Sequence, residues 1–93
     1  MVRVNVRFIS IARMRAGTGD VQFESSGQRL REVLTEIVHR YGIADIILAE
    51  SGEVKPWARV LVNGRSHQFV GGLDVKLNDG DRIAFIYPYA ENF

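Results

Sequence analysis

Between residues 2 and 41 the apolar residues change their period, and that change constrains the fold more than any other feature of the chain. Val2, Val4, Val6 and Phe8 alternate with Arg3, Asn5, Arg7 and Ile9, the two-residue repeat of a strand with one buried face. From Leu30 onward the apolar positions are Leu30, Val33, Leu34, Ile37, Val38 and Tyr41, spaced as a single stripe along an amphipathic helix. Arg31, Glu32, Glu36 and Arg40 occupy its outer face. A half-buried strand and a one-sided helix each need an apolar cover, and each can supply the other's. The fold class expected is therefore α+β, with a helix laid on a sheet.

Gly17 and Gly19 make residues 13–20 read as a turn into a second short strand, in which Val21 and Phe23 alternate with Gln22 and Glu24. Ser25 and Gln28 have the spacing of a capping box, with Ser26 an equally good cap, and Gly42 stands where the helix would stop in the left-handed conformation. Residues 43–56, with the cluster Ile46-Ile47-Leu48 before Ser51-Gly52-Glu53, read as a short helix and a loop. Residues 59–62 read as a strand, Asn63-Gly64 as a type I′ turn and residues 65–70 as the returning strand. Gly71-Gly72 and Asn78-Asp79-Gly80-Asp81 read as further turns. A last strand over residues 83–87 places Ile83 and Phe85 on one face and Ala84 and Ile86 on the other. With no repeat or linker in 93 residues, one domain over 1–93 is expected, ending in a C-terminal tail at 87–93.

Composition mainly excludes. Hydrophobic residues make up 46% and charged residues 25% of the chain, the balance of an ordinary globular protein. Twelve Lys and Arg face eleven Asp and Glu, a net charge of +1, so no long-range field gathers nucleic acid or anionic lipid and no nucleic-acid partner is expected. Arg3, Arg7, Arg13 and Arg15 read as a solvated face rather than a dock for an acidic partner. There is no cysteine, hence no disulfide, thiolate nucleophile or cysteine metal site. No run approaches the roughly 20 apolar residues that span a bilayer, and residues 1–7 alternate charged and apolar side chains instead of forming a signal peptide. A cytoplasmic protein with no membrane partner is expected.

His39 and His67 have no second histidine or carboxylate at ligand spacing, Asp79-Gly80-Asp81 lacks the rest of a calcium loop, and Gly71-Gly72 is not followed by the Lys-Ser/Thr of a phosphate loop. With no paired carboxylates or catalytic triad either, no catalytic residue, metal or cofactor is expected, and the chain does not read as an enzyme.

Four stretches, in this order, carry a resemblance: Val6-Arg7-Phe8-Ile9-Ser10-Ile11-Ala12-Arg13 with Ala16-Gly17; Leu30-Arg31-Glu32-Val33-Leu34 ending at Tyr41-Gly42; Val62-Asn63-Gly64; and Leu77-Asn78-Asp79-Gly80-Asp81-Arg82-Ile83-Ala84-Phe85. Together they resemble the MoaD/ThiS family of sulfur carriers over nearly the whole chain. The resemblance implies a ubiquitin-like β-grasp, a mixed sheet of four to five strands with one main helix packed on one face and the first and last strands side by side. In that family a terminal glycine carboxylate is adenylated by an activating enzyme and converted to a thiocarboxylate, whose sulfur goes to a pterin precursor or to thiazole assembly. Here Glu91 and Asn92 stand at the diglycine positions, with Phe93 one residue further, and the one Gly-Gly of the chain, Gly71-Gly72, precedes the last strand. The expectation is a MoaD-like, protein-binding subunit in or near molybdenum or tungsten pterin cofactor metabolism, similar to a molybdopterin synthase small subunit and not an efficient sulfur carrier. A genuine carrier with an unusual terminus, or a regulatory subunit unrelated to pterin, are the alternatives.

The alternation also points to a surface. If Val2, Val4, Val6 and Phe8 face the core together with Ile83 and Phe85, then Ile9 and Ile86 face outward on adjacent strands. A contiguous apolar group beside an aromatic tail marks a protein interface more than single exposed residues do, and the resemblance implies that this face and the tail dock on a partner enzyme. The candidate partner-binding residues are Ile9, Ile86, Tyr87, Tyr89, Ala90, Glu91, Asn92 and Phe93. The candidate partners are a molybdopterin synthase large subunit or an activating enzyme. Ser66 stands where that family would place an apolar contact residue.

Overall fold

The alternating N-terminal residues form a nine-residue strand, β1 (Val2–Ser10), in a computed structural model that describes residues 1–89. After it come α1 (Ile11–Ala16), β2 (Asp20–Ser25), α2 (Leu30–Arg40), α3 (Ala44–Ile47), β3 (Arg59–Val62), β4 (Arg65–Ser66) and β5 (Arg82–Tyr87). The five strands form one mixed sheet in the order β2-β1-β5-β3-β4. β1 runs antiparallel to β2 and parallel to β5, and β5 runs antiparallel to β3. The first and last strands thus lie side by side, and the architecture is the ubiquitin-like β-grasp.

α2 covers one face of this sheet. Leu30, Val33, Leu34, Ile37 and Val38 are all buried, and from the strands Val2, Val4, Val6, Phe8, Phe23, Val60, Val62, Ile83 and Phe85 meet them. Phe8 stacks on Phe85 with ring centroids 5.7 Å apart and leans on Tyr41 at 5.1 Å, which fixes the two central strands against the end of the helix. Past Tyr41, Gly42 adopts φ +70°, the left-handed geometry expected where the helix stops. Asn63 and Gly64 both have positive φ, as a type I′ turn between β3 and β4 requires.

Three expectations are corrected. Residues 13–20 are not wholly a turn, because Ile11–Ala16 forms a helical turn and a half with Ala12 buried against the core, closed by Gly17 at φ +78° donating to the Arg13 carbonyl. Residues 65–70 are not a full returning strand. Only Arg65–Ser66 pairs with β3, after which 3-10 turns at His67–Phe69 and Gly72–Asp74 fold over the open edge of the core and bury His67 and Leu73. His67 therefore lies in a buried turn and not in a strand.

The third correction concerns the start of α2. Its cap is Arg29, and Glu32 reaches back to accept hydrogen bonds from the Gln28 and Arg29 N–H groups, each at 3.0 Å. Ser25 and Ser26 serve a different acceptor. Their hydroxyls donate to Oε1 of Glu36 at 2.6 and 2.9 Å, and the N–H groups of Ser26 and Gly27 add bonds of 3.0 and 3.3 Å to the same oxygen. These bonds, that of Ser25 foremost, hold the Glu36 carboxyl below the ordinary glutamate value against the opposing effect of burial. A carboxyl with a lowered folded value stabilises fully above its unfolded value of about 4.3, and the contribution is lost as pH falls through the folded value. Glu36→Gln should therefore lower stability by about 1–2 kcal/mol at pH 7, and urea unfolding curves of variant and native chain should converge near the acid end of that window.

Candidate functional site

The face opposite α2 is built by residues that the strand alternation turns outward. Ile9 and Ile86 are register partners across β1 and β5, and Leu61 and Ala84 are partners across β3 and β5. All four are half-buried, so they form one apolar strip across three strands. Ile9, Leu61 and Ala84, with Asn5, Arg7, Gln22 and Arg82, line a shallow depression of about 500 Å³. On its β1/β2 side Arg7 bonds to Asp20 at 2.8 Å, and further along the same two strands, outside the depression, Arg3 bonds to Glu24 at 3.1 Å. Arg3 and Arg7 are thus exposed, as expected, and each is also neutralised by a cross-strand carboxylate. Asp20 raises the Arg7 guanidinium further above its already high value, first through their hydrogen bond.

Ser66, the register partner of Leu61, stands on the same face at the β4 end. Its Oγ is enclosed and has no hydrogen-bond partner among the described residues. A small polar side chain thus ends the strip where an apolar one would have extended it.

The tail begins inside the fold. Tyr87 is the last residue of β5 and packs against the core. Two residues on, the Tyr89 N–H donates to the Trp57 carbonyl at 2.7 Å, and the Arg59 guanidinium carbon sits 4.6 Å from the centre of the Tyr89 ring. Arg59 is also the register partner of Ile86. The structure therefore brings Ile9, Ile86, Tyr87 and Tyr89 to one end of the sheet, whereas Ala90, Glu91, Asn92 and Phe93 lie outside the described residues.

Sequence reasoning did not single out Leu61, Ala84, Arg59 or Trp57. Leu61 and Ala84 were within reach of the same alternation that found Ile9 and Ile86, since Val60, Val62, Ile83 and Phe85 point inward around them. Trp57 is 65% exposed and lies in a loop, where no period announces it. His39 is exposed, its Nδ1 2.8 Å from the Thr35 carbonyl, and among the described residues no three or more His, Cys, Asp or Glu side chains gather to hold a metal ion. No helix among them is long and apolar enough to cross a membrane.

The sequence model of the ThiS family matches residues 6–90. The chain belongs to the ThiS family. Small archaeal modifier protein 3 of Haloferax volcanii is 30% identical over 91 residues, covering 96% of this chain and 98% of that protein. The solution structure of small archaeal modifier protein 1 from Methanosarcina acetivorans is similar with a TM-score of 0.81 and 24% identity, over 100% of this chain and 98% of that one, a likeness of fold. A chain of the Amycolatopsis orientalis BexX/CysO complex is 26% identical with a TM-score of 0.74, over 97% of this chain and 99% of its own. This ThiS-family chain is accordingly one of the small ubiquitin-like carriers and modifiers, proteins that are not themselves catalysts. The reading of the chain as a non-enzyme rests on that membership.

Proposed function

We propose that this ThiS-family protein is a docking module whose partner protein covers the outer sheet face and takes the C-terminal segment beside it. The observation that carries this reading is adjacency: the strip of Ile9, Leu61, Ala84 and Ile86 and the root of the tail at Tyr89 share one end of the sheet, joined through Arg59. A single contact can engage both. Burying the strip supplies affinity in proportion to its apolar area, roughly 25 cal/mol per Å², less the cost of ordering the two partners.

The partner favoured is an activating enzyme. The modifier name of the Haloferax volcanii relative and the presence of a similar chain in the BexX/CysO complex support a carrier or modifier that works through other proteins. Docking on a molybdopterin synthase large subunit, within molybdenum or tungsten pterin metabolism in the cytoplasm, is the narrower second reading and rests on the sequence motifs.

Ile86→Asp and Ile9→Asp should each weaken binding to the cognate activating enzyme by about tenfold or more in isothermal titration, with unfolding temperatures close to native. A carboxylate costs little on the free surface and much when an interface buries it unpaired. Native affinity in both variants would remove this face from the reading.

A further inference from the structure

Where β5 ends, the chain does not peel away from the sheet. The last register pair of the β5 and β3 ladder is Arg59 with Ile86, and the bond from the Tyr89 N–H to the Trp57 carbonyl lies beyond it on both strands. Pro88, between the two, has no N–H to give, so Tyr89 carries the backbone tie alone. The ring of the same residue rests under the Arg59 guanidinium at 4.6 Å. Arg59 opens β3, so its backbone is fixed by the strand, and the residue is half-buried. Two different parts of Tyr89 are thus held, one by Trp57 just before β3 and one by Arg59 at its start, and both must be released before the chain can swing from an earlier residue.

We propose that Arg59 and the Trp57 carbonyl form a latch that fixes the chain at Tyr89, and that Arg59 is a positioning residue for the partner's engagement of the residues that follow. The partner arm rests on the docking reading above; the latch itself does not. A chain already fixed at Tyr89 has given up part of its conformational freedom before binding, and a partner that engages it there gains affinity by the freedom already surrendered. The latch's carbonyl belongs to Trp57, whose side chain is exposed. As the one tryptophan of the chain, it reports directly on events there.

The test uses the full chain labelled with nitrogen-15 and its cognate activating enzyme. In the free protein, amide hydrogen exchange at Tyr89 should be slowed about tenfold or more relative to an unstructured peptide. Arg59→Ala should remove most of that protection while leaving the Val60 and Phe85 amides at native rates, and Arg59→Lys, which keeps a cation over the ring, should retain part of it. Titration followed by Trp57 fluorescence should then show several-fold weaker binding for Arg59→Ala and for Tyr89→Pro, which lacks both the N–H and the ring, with partial rescue by Arg59→Lys. Peptide-like exchange at Tyr89 in the native chain, or protection unchanged by Arg59→Ala, would overturn the latch. Lost protection with native affinity would overturn the positioning role and leave a contact that only packs the end of the sheet. Native affinity in the Ile86→Asp variant strikes the docking reading instead, and the exchange measurements on the free protein still decide the latch.

Discussion

Leu34→Ala and Ile37→Ala should each lower the unfolding free energy by about 2–5 kcal/mol, because each deletes methylene groups from a fully packed helix face and leaves a cavity that the sheet below cannot fill. Leu34 is 1% exposed and Ile37 is not exposed at all, and both belong to the stripe that seals β1 and β5. Set against the 5–15 kcal/mol typical of folded proteins, one such loss removes a large share of the total. Arg31→Ala is the contrast. Its guanidinium lies 3.3 Å from Asp74 and 4.0 Å from Glu53 on the open surface, and exposed pairs of this kind contribute about 0–1 kcal/mol. Urea unfolding of the three variants decides the matter, and similar small losses at all three positions would mean that α2 does not carry the core.

The second large effect is chemical. Given an activating enzyme of the MoaD type, ATP and a sulfur donor, a polypeptide prepared as residues 1–93 should form little thiocarboxylate at Phe93. The variant Glu91→Gly with Asn92→Gly, ending at residue 92, should form it readily. Glycine lets a terminal carboxylate approach an enzyme on bare backbone, whereas Phe93 sets a bulky group on the adjacent carbon. Glu91 adds a negative charge close to an already negative carboxylate and nucleotide. Intact-mass spectrometry reads the outcome, since exchanging the terminal oxygen for sulfur adds about 16 Da. Strong appearance of that species on the 1–93 polypeptide would show that the side chains at 91–93 do not block the step.

The parts of the fold legible in the sequence are those where a period runs long enough to fix a face. Nine residues of β1 and eleven of α2 satisfy that condition, and their buried positions follow residue by residue. α1 has only six residues, fewer than two turns, and the glycines just after it dominate any local reading. At residues 65–70 the apolar Phe69 and Val70 suggest a strand, but the chain turns because covering the edge of the core with His67 and Leu73 outweighs further pairing with β3. Ser25 and Ser26 have the right chemistry to cap a helix; what decides their use is Glu36, ten or more residues away, which no local pattern couples to them. The candidate site divides the same way. Ile9 and Ile86 follow from alternation, whereas the tie between Tyr89 and Trp57 joins residues 32 apart and exists only once β3 and β5 have paired.

That pairing order bears on how the protein is made. β5 is hydrogen-bonded to β1 on one side and β3 on the other, so the middle of the sheet is empty until residues 82–87 have left the ribosome. A β1/β2 hairpin that formed before then would present an open inner edge. Sheets that depend on partners so distant in sequence close slowly, and an unpaired edge in the interval is an invitation to other strands. β5, the last of the described strands, is the one that ends this exposure, and a chain truncated before residue 82 would lack the strand that joins β1 to β3.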